Sequence, residues 1–223
     1  KSTQEDFEYF EKRYKACKNL FAKTEYGLMV YFGAKTPVSK HHDFKRLLCN
    51  ELFQLSKEYF AKAEEGGEGN HYVLDFFHSL RMAFELAKKS SLTPELNEII
   101  EYIYSIHQSW DVTKDGTLRV LLDLSGLLSD NYTLSNKKID FEKVLEKNLA
   151  GATELEKTYV WGAIYAIDQN IGIEQKRAQP VDKLLVYKAK LYERLATEAE
   201  AKGNLACVRS EEHTSELQSR LHL

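Results

Sequence analysis

The chain has 223 residues, 43% of them hydrophobic, with 31 Lys+Arg against 34 Asp+Glu and a formal net charge of −3. A balance this near neutral excludes the broad basic footprint expected of a nucleic-acid or anionic-membrane binder, and a composition so low in proline is that of an ordered globular protein. Three cysteines, Cys17, Cys49 and Cys207, are odd in number and far apart, which suits neither zinc spacing nor a disulfide framework and points to a reducing cytoplasm.

In chain order, Phe7, Phe10, Tyr14, Cys17 and Phe21 recur at three- and four-residue steps, the stripe of one amphipathic helix. The apolar run "YGLMVYFGA", Tyr26 to Ala34, is far shorter than the ~20 residues needed to cross a bilayer, and helix is preferred to strand there. Ser39 is placed to cap a second helix whose apolar face holds Phe44, Leu47, Leu48, Leu52, Leu55 and Tyr59. Its opening turns carry His41, His42, Lys45 and Arg46, the most basic cluster in the chain and the candidate binding residues for an anion or acidic partner. Cations at a helix N-terminus oppose the dipole, and a solvated face is the simpler account of them.

The loop "EEGGEGN" separates this helix from the next and lacks the Gly-Lys-Ser/Thr sequel of a phosphate cradle. Val73, Phe76, Phe77, Leu80, Phe84 and Ala87 then make a core face. On the opposite side lie His71, Asp75 and His78, a donor set suited to zinc or non-haem iron. The two imidazoles sit ~10 Å apart along one helix axis, a poor reach for a single ion, so the stripe is expected to face water. No cofactor is expected.

Thr93 and Pro94 open the following helix, with Leu96, Ile99, Ile100, Ile103, His107 and Trp110 on its apolar side; His107 reads as a packed core histidine. "DVTKDGTLRVLL" follows the calcium-loop pattern at Asp111, Thr113 and Asp115. It then places Leu122 where the bidentate glutamate belongs, so it reads as a turn. A leucine-dense helix, "LRVLLDLSGLLSD", leads into a polar linker, "NYTLSNKK". Next come a helix from about Asp140 to Leu149 and a capping box, Thr153 with Glu156, that opens another. "QNIGIEQKRAQP" is expected to be a break before a last helix from Val181 to about Lys202.

"DFKRLLCNEL" (43–52) and "DFEKVLEKNL" (140–149) match at several positions, which shared helix-start chemistry explains as well as duplication does. "LYERLATEAEAKGNLACV" resembles part of a tetratricopeptide-type repeat through Tyr192, Ala196, Ala199 and Gly203-Asn204; it implies stacked helical hairpins over less than one repeat. The closing stretch, 209–223, buries almost nothing. Arg209 to Ser219 is similar, codon for codon, to a translated sequencing adaptor, so 209–223 is expected to be a non-native polar tail on a fragment of a longer protein.

These readings predict an all-α chain of about eight or nine helices, in antiparallel hairpins stacked as a helical array or irregular bundle. Residues 1–208 are expected to form one domain, with a possible subdivision near 131–138. The expected role is a non-enzymatic interaction or regulatory module of a larger intracellular protein, binding a protein partner or a missing domain of its own chain. A metal-dependent helical enzyme using His71, Asp75 and His78 is the alternative. Nucleic-acid binding through Lys45 and Arg46 comes second.

Overall fold

The computed structural model describes residues 4–33, 38–65, 72–109, 117–135 and 138–201, apart from the side chains of several residues near helix ends. Every regular element among them is helical: α1 (Gln4–Ala16), α2 (Leu20–Gly33), α3 (Val38–Glu65), α4 (Tyr72–Lys89), α5 (Thr93–Ser109), α6 (Thr117–Asp130), α7 (Tyr132–Ser135), α8 (Phe141–Thr158), α9 (Val160–Lys176) and α10 (Asp182–Ala201). The calcium-like turn at 110–116, Gly203-Asn204 and the adaptor-like tail lie outside the described residues. The chain divides into two compact units, Lys1–Tyr102 and Ile103–Leu223, with the division falling inside α5; the polar stretch 131–138 lies within the second.

Among the described residues ten helices stand against the expected eight or nine, because local chemistry adds breaks and removes others. The first apolar stripe is cut at Asn19, whose side-chain Oδ1 accepts the Ala22 amide at 2.9 Å and starts α2. Phe21 is consequently turned outward, 53% exposed, while Tyr14 is buried. "NYTLSNKK" is no plain linker. Asn131 Nδ2 donates to the Leu127 carbonyl and the Ser135 hydroxyl donates to the Asn131 carbonyl, winding the single turn α7.

The expected break near 150–153 is absent. Gly151 and Ala152 are buried inside a continuous α8, and the Thr153 hydroxyl donates back to the Leu149 carbonyl instead of capping a new helix. Asp140 does cap α8, accepting from the Glu142 amide at 3.0 Å. Its counterpart Asp43 lies inside α3, so the two similar decapeptides do not share a cap. "QNIGI" also stays helical, because Asn170, Ile171 and Ile173 are buried on α9 and their packing outweighs the propensity cost of Gly172.

In the first unit, α3 packs on both α2 and α4. Contacts pair Lys23 with Glu51, Gly27 with Leu48 and Lys45 with Tyr31, so α2 and α3 run antiparallel. Phe60 meets Phe76 while the Cys49 thiol reaches the Ala83 carbonyl, which makes α3 and α4 antiparallel too. The core they enclose includes Leu48, Cys49, Leu52, Phe76, Leu80 and Phe84, all essentially inaccessible. Leu47, expected on this face, is 49% exposed. Burial next to Glu95 and Glu98 pushes the Cys49 thiol up to about 12, so it packs as a neutral apolar group.

In the second unit α9 is central. Leu155 lies by Gly162 and Asn148 bonds Asn170, giving an antiparallel α8/α9 pair; Lys188 pairs with Asp168 and Trp161 with Tyr192, giving an antiparallel α9/α10 pair. α6 runs parallel to α9, with Asp123 by Tyr165, Gly126 by Gln169 and Ser129 by Lys176. The apolar centre gathers Leu122, Ala163, Ile164, Ala166, Ile167 and Leu191.

Candidate functional site

The turn from α8 to α9 is one residue long. Tyr159, at φ −147° and ψ 81°, donates its amide to the Leu155 carbonyl and accepts the Gly162 amide at 3.0 Å, ending one helix and starting the next. No side chain caps this corner, and the Tyr159 ring lies across Gly162. A Cβ at Gly162 would come within 2.6 Å of the Tyr159 ring and 2.9 Å of a Leu155 methyl, so glycine is what lets the ring settle there.

From this corner a groove of about 420 Å³ opens, lined by Leu122 and Asp123 of α6, Leu155 of α8, Tyr159, and Trp161, Gly162 and Tyr165 of α9. Trp161 and Tyr165 stand four residues apart and so share one side of the helix. Tyr159, Trp161 and Tyr165 are 59%, 50% and 40% exposed, although Val160, Ala163, Ile164 and Ile167 of the same segment are buried. These aromatics are therefore surplus to the core. Clustered exposed aromatic surface is the usual mark of a contact site.

The polar groups here are few and placed. The Tyr165 hydroxyl donates to Asp123 Oδ1 at 3.2 Å; burial and the carboxylate together raise its pKa. Trp161 meets the Tyr192 ring edge-on at 6.0 Å, and Lys188 lies over Tyr192. The Trp161 indole N–H and the Tyr159 hydroxyl donate to no other described group, so both remain available to an incoming carbonyl.

The second unit also holds a chain of hydrogen-bonded side chains, buried at His107, Asn148 and Asn170. Gln108 Nε2 and His107 Nδ1 are 3.1 Å apart, His107 Nε2 and Asn148 Oδ1 3.1 Å, Asn148 Nδ2 and Asn170 Oδ1 3.0 Å, and Asn170 Nδ2 reaches the Leu145 carbonyl at 2.9 Å. Since Asn148 spends its N–H₂ on Asn170, its oxygen accepts from His107, which makes the imidazole the neutral Nε2–H form. Burial, chiefly, brings the His107 pKa down to about 4, with Lys147 adding to the effect against the Asn148 bond. His107 is a core histidine, 0% exposed.

Among the described residues, those singled out from sequence fall on α3 and α4. Arg46 reaches Glu95 on α5 at 3.0 Å, Lys45 lies over the Tyr31 ring of α2, His42 is exposed beside Arg46, and the side chain of His41 is not among those described. His71 lies outside the described residues; Asp75 and His78 are exposed on α4, and His78 lines a groove beside α2. Among the described residues, no three His, Cys, Asp or Glu side chains are grouped so as to hold a metal ion. No helix described is long and apolar enough to cross a membrane. Sequence reasoning passed over Trp161 and Tyr165, although an aromatic pair on the side of a helix opposite Ala163 and Ile167 was the available signal.

No protein-family model, curated protein or solved structure matches this chain.

Proposed function

We propose that this chain is a non-enzymatic interaction module and that the groove at the α8–α9 corner docks an extended segment of a protein partner. The observation that carries the reading is the exposure of Tyr159, Trp161 and Tyr165 around one groove whose neighbouring helix face is already fully buried. Tryptophan and tyrosine bring large rigid contact area at low entropic cost, which is why they dominate binding hot spots.

The partner chemistry that suits the groove best is a polyproline-II segment with a basic residue beside it. Such a segment is already extended and shows outward-facing carbonyls, so aromatic rings pack its prolines while the Trp161 and Tyr159 donors take its carbonyls. Asp123 offers a carboxylate to the basic flank. The free thiols of Cys17 and Cys49 suit a reducing compartment such as the cytoplasm.

The test is a titration of the whole chain with synthetic proline-rich peptides bearing a flanking arginine, followed by backbone amide shifts. Perturbations centred on Tyr159, Trp161 and Tyr165, with affinity reduced about tenfold or more by Trp161→Ala, are the expected result. Peptides that leave those amides unmoved, or bind Trp161→Ala equally well, overturn the reading.

A further inference from the structure

A second groove, of about 290 Å³, lies between α2 and α4 and is independent of the aromatic corner. Its apolar lining is Leu28 and Tyr31 from α2 with Met82 and Leu86 from α4. Its charged lining is unbalanced. Glu85 sits 3.8 Å from Lys89, one turn away, so that carboxylate already has its cation. Arg81 makes no ion pair with any described residue, and His78 stands one turn from Met82 on the same wall.

We propose that this groove binds a small free amphiphilic anion, a linear alkyl carboxylate, with its chain along Leu28, Met82 and Leu86 and its carboxylate on Arg81. Each half of that description answers to one half of the lining. A planar guanidinium takes both oxygens of a carboxylate in parallel hydrogen bonds, stronger than either a lysine contact or a neutral pair. The unbranched thioether of Met82 adapts to a flexible chain. A simple inorganic anion would leave the apolar strip in water, and an alkyl cation would meet Arg81 and Lys89 with like charge. The volume lies at the lower edge of the ~300–1,000 Å³ usual for small-ligand sites, and is too short for the row of anchors a docked helix requires.

The experiment titrates the full chain with octanoate, and in parallel with acetate, octanol and octylammonium, reading backbone amide shifts and affinity by calorimetry. Octanoate is expected to move amides along Leu28–Tyr31 and Arg81–Leu86 and to bind at least tenfold more tightly than the other three. Arg81→Gln, at an exposed position where circular dichroism is expected to show an intact fold, is expected to weaken octanoate at least tenfold; Trp161→Ala is expected to leave it unchanged. Equal binding of octanoate and octylammonium, shifts located elsewhere, unaltered affinity in Arg81→Gln, or no octanoate binding at millimolar concentration each overturn the proposal.

Discussion

Helix α4 of the first unit and helix α9 of the second sort their side chains differently. In the first, α4 makes Phe76 and Phe84 wholly inaccessible and half-buries Phe77, while Tyr72 and Leu74 near its start stay exposed. In the second, α9 sends Trp161 and Tyr165 outward and keeps Asn170 inside, linked through Asn148 to His107. A core of large rings is held by close packing, so it tolerates any surface that stays soluble. A core of alanines and isoleucines threaded by amides is held in one register by hydrogen bonds that must all be made. The second unit therefore combines a more exacting interior with exposed aromatic groups gathered around one groove, whereas those of the first, such as Phe21 and Tyr72, stand on separate helices.

The contrast breaks most severely at the ring core. Phe84→Ala is expected to cost the first unit about 3–5 kcal/mol through lost burial and the cavity left behind, measurable as a fall in denaturant midpoint. Comparable in size, but confined to acid, is the effect of His107. Its folded pKa of about 4 lies below the ordinary value of 6.5, so the unfolded chain binds the proton first. The neutral imidazole's contribution is complete above pH 6.5 and is lost as pH falls through 4, to a total of about 3 kcal/mol. Denaturation at stepped pH should show that loss in the parent and its absence in His107→Gln.

Asn148→Ala attacks the same chain without titration. It strands the His107 N–H and the Asn170 oxygen in the interior and is expected to cost roughly 2 kcal/mol at neutral pH, by chemical denaturation. A smaller change of opposite sign should follow at the end of α9. There Ala178 has φ 55°, and the amides of Ala178 and Gln179 bond back to Gln175 and Glu174 in a Schellman closure. Glycine adopts that conformation without the Cβ clash, so Ala178→Gly is expected to stabilise by about 1 kcal/mol, seen as a raised Tm. Least of all, Trp161→Ala should shift stability by no more than about 0.5 kcal/mol, since its ring is half in water. A large loss there would make the aromatic corner part of the core and remove the basis for docking.

Helix identity was legible wherever one apolar stripe was sustained. Phe76, Leu80, Phe84 and Ala87 on α4, and Leu96, Ile99, Ile100, Ile103 and His107 on α5, are all buried as their spacing implies. Helix ends were read less well. Thr153 and Gly172 carry local signals for a boundary, yet both sit within helices, because burial of Ala152 and Ile173 on either side outweighs the fraction of a kilocalorie that such a signal contributes. The surroundings of the basic cluster were not legible for a related reason. Lys45 and Arg46 are adjacent in sequence, but consecutive positions on a helix diverge by about 100°, and they reach α2 and α5 respectively.

By itself, then, the order of residues determined an all-helical chain and most of the faces its helices turn inward, since periodic burial is a property of each segment alone. Only the tertiary structure decided where α8 yields to α9, how His107 is bonded, and that Trp161, Tyr165 and Tyr159 meet around one groove with Asp123 of α6. Those outcomes depend on which other segment stands opposite, and a contact between residues some forty positions apart leaves no trace in the spacing of either.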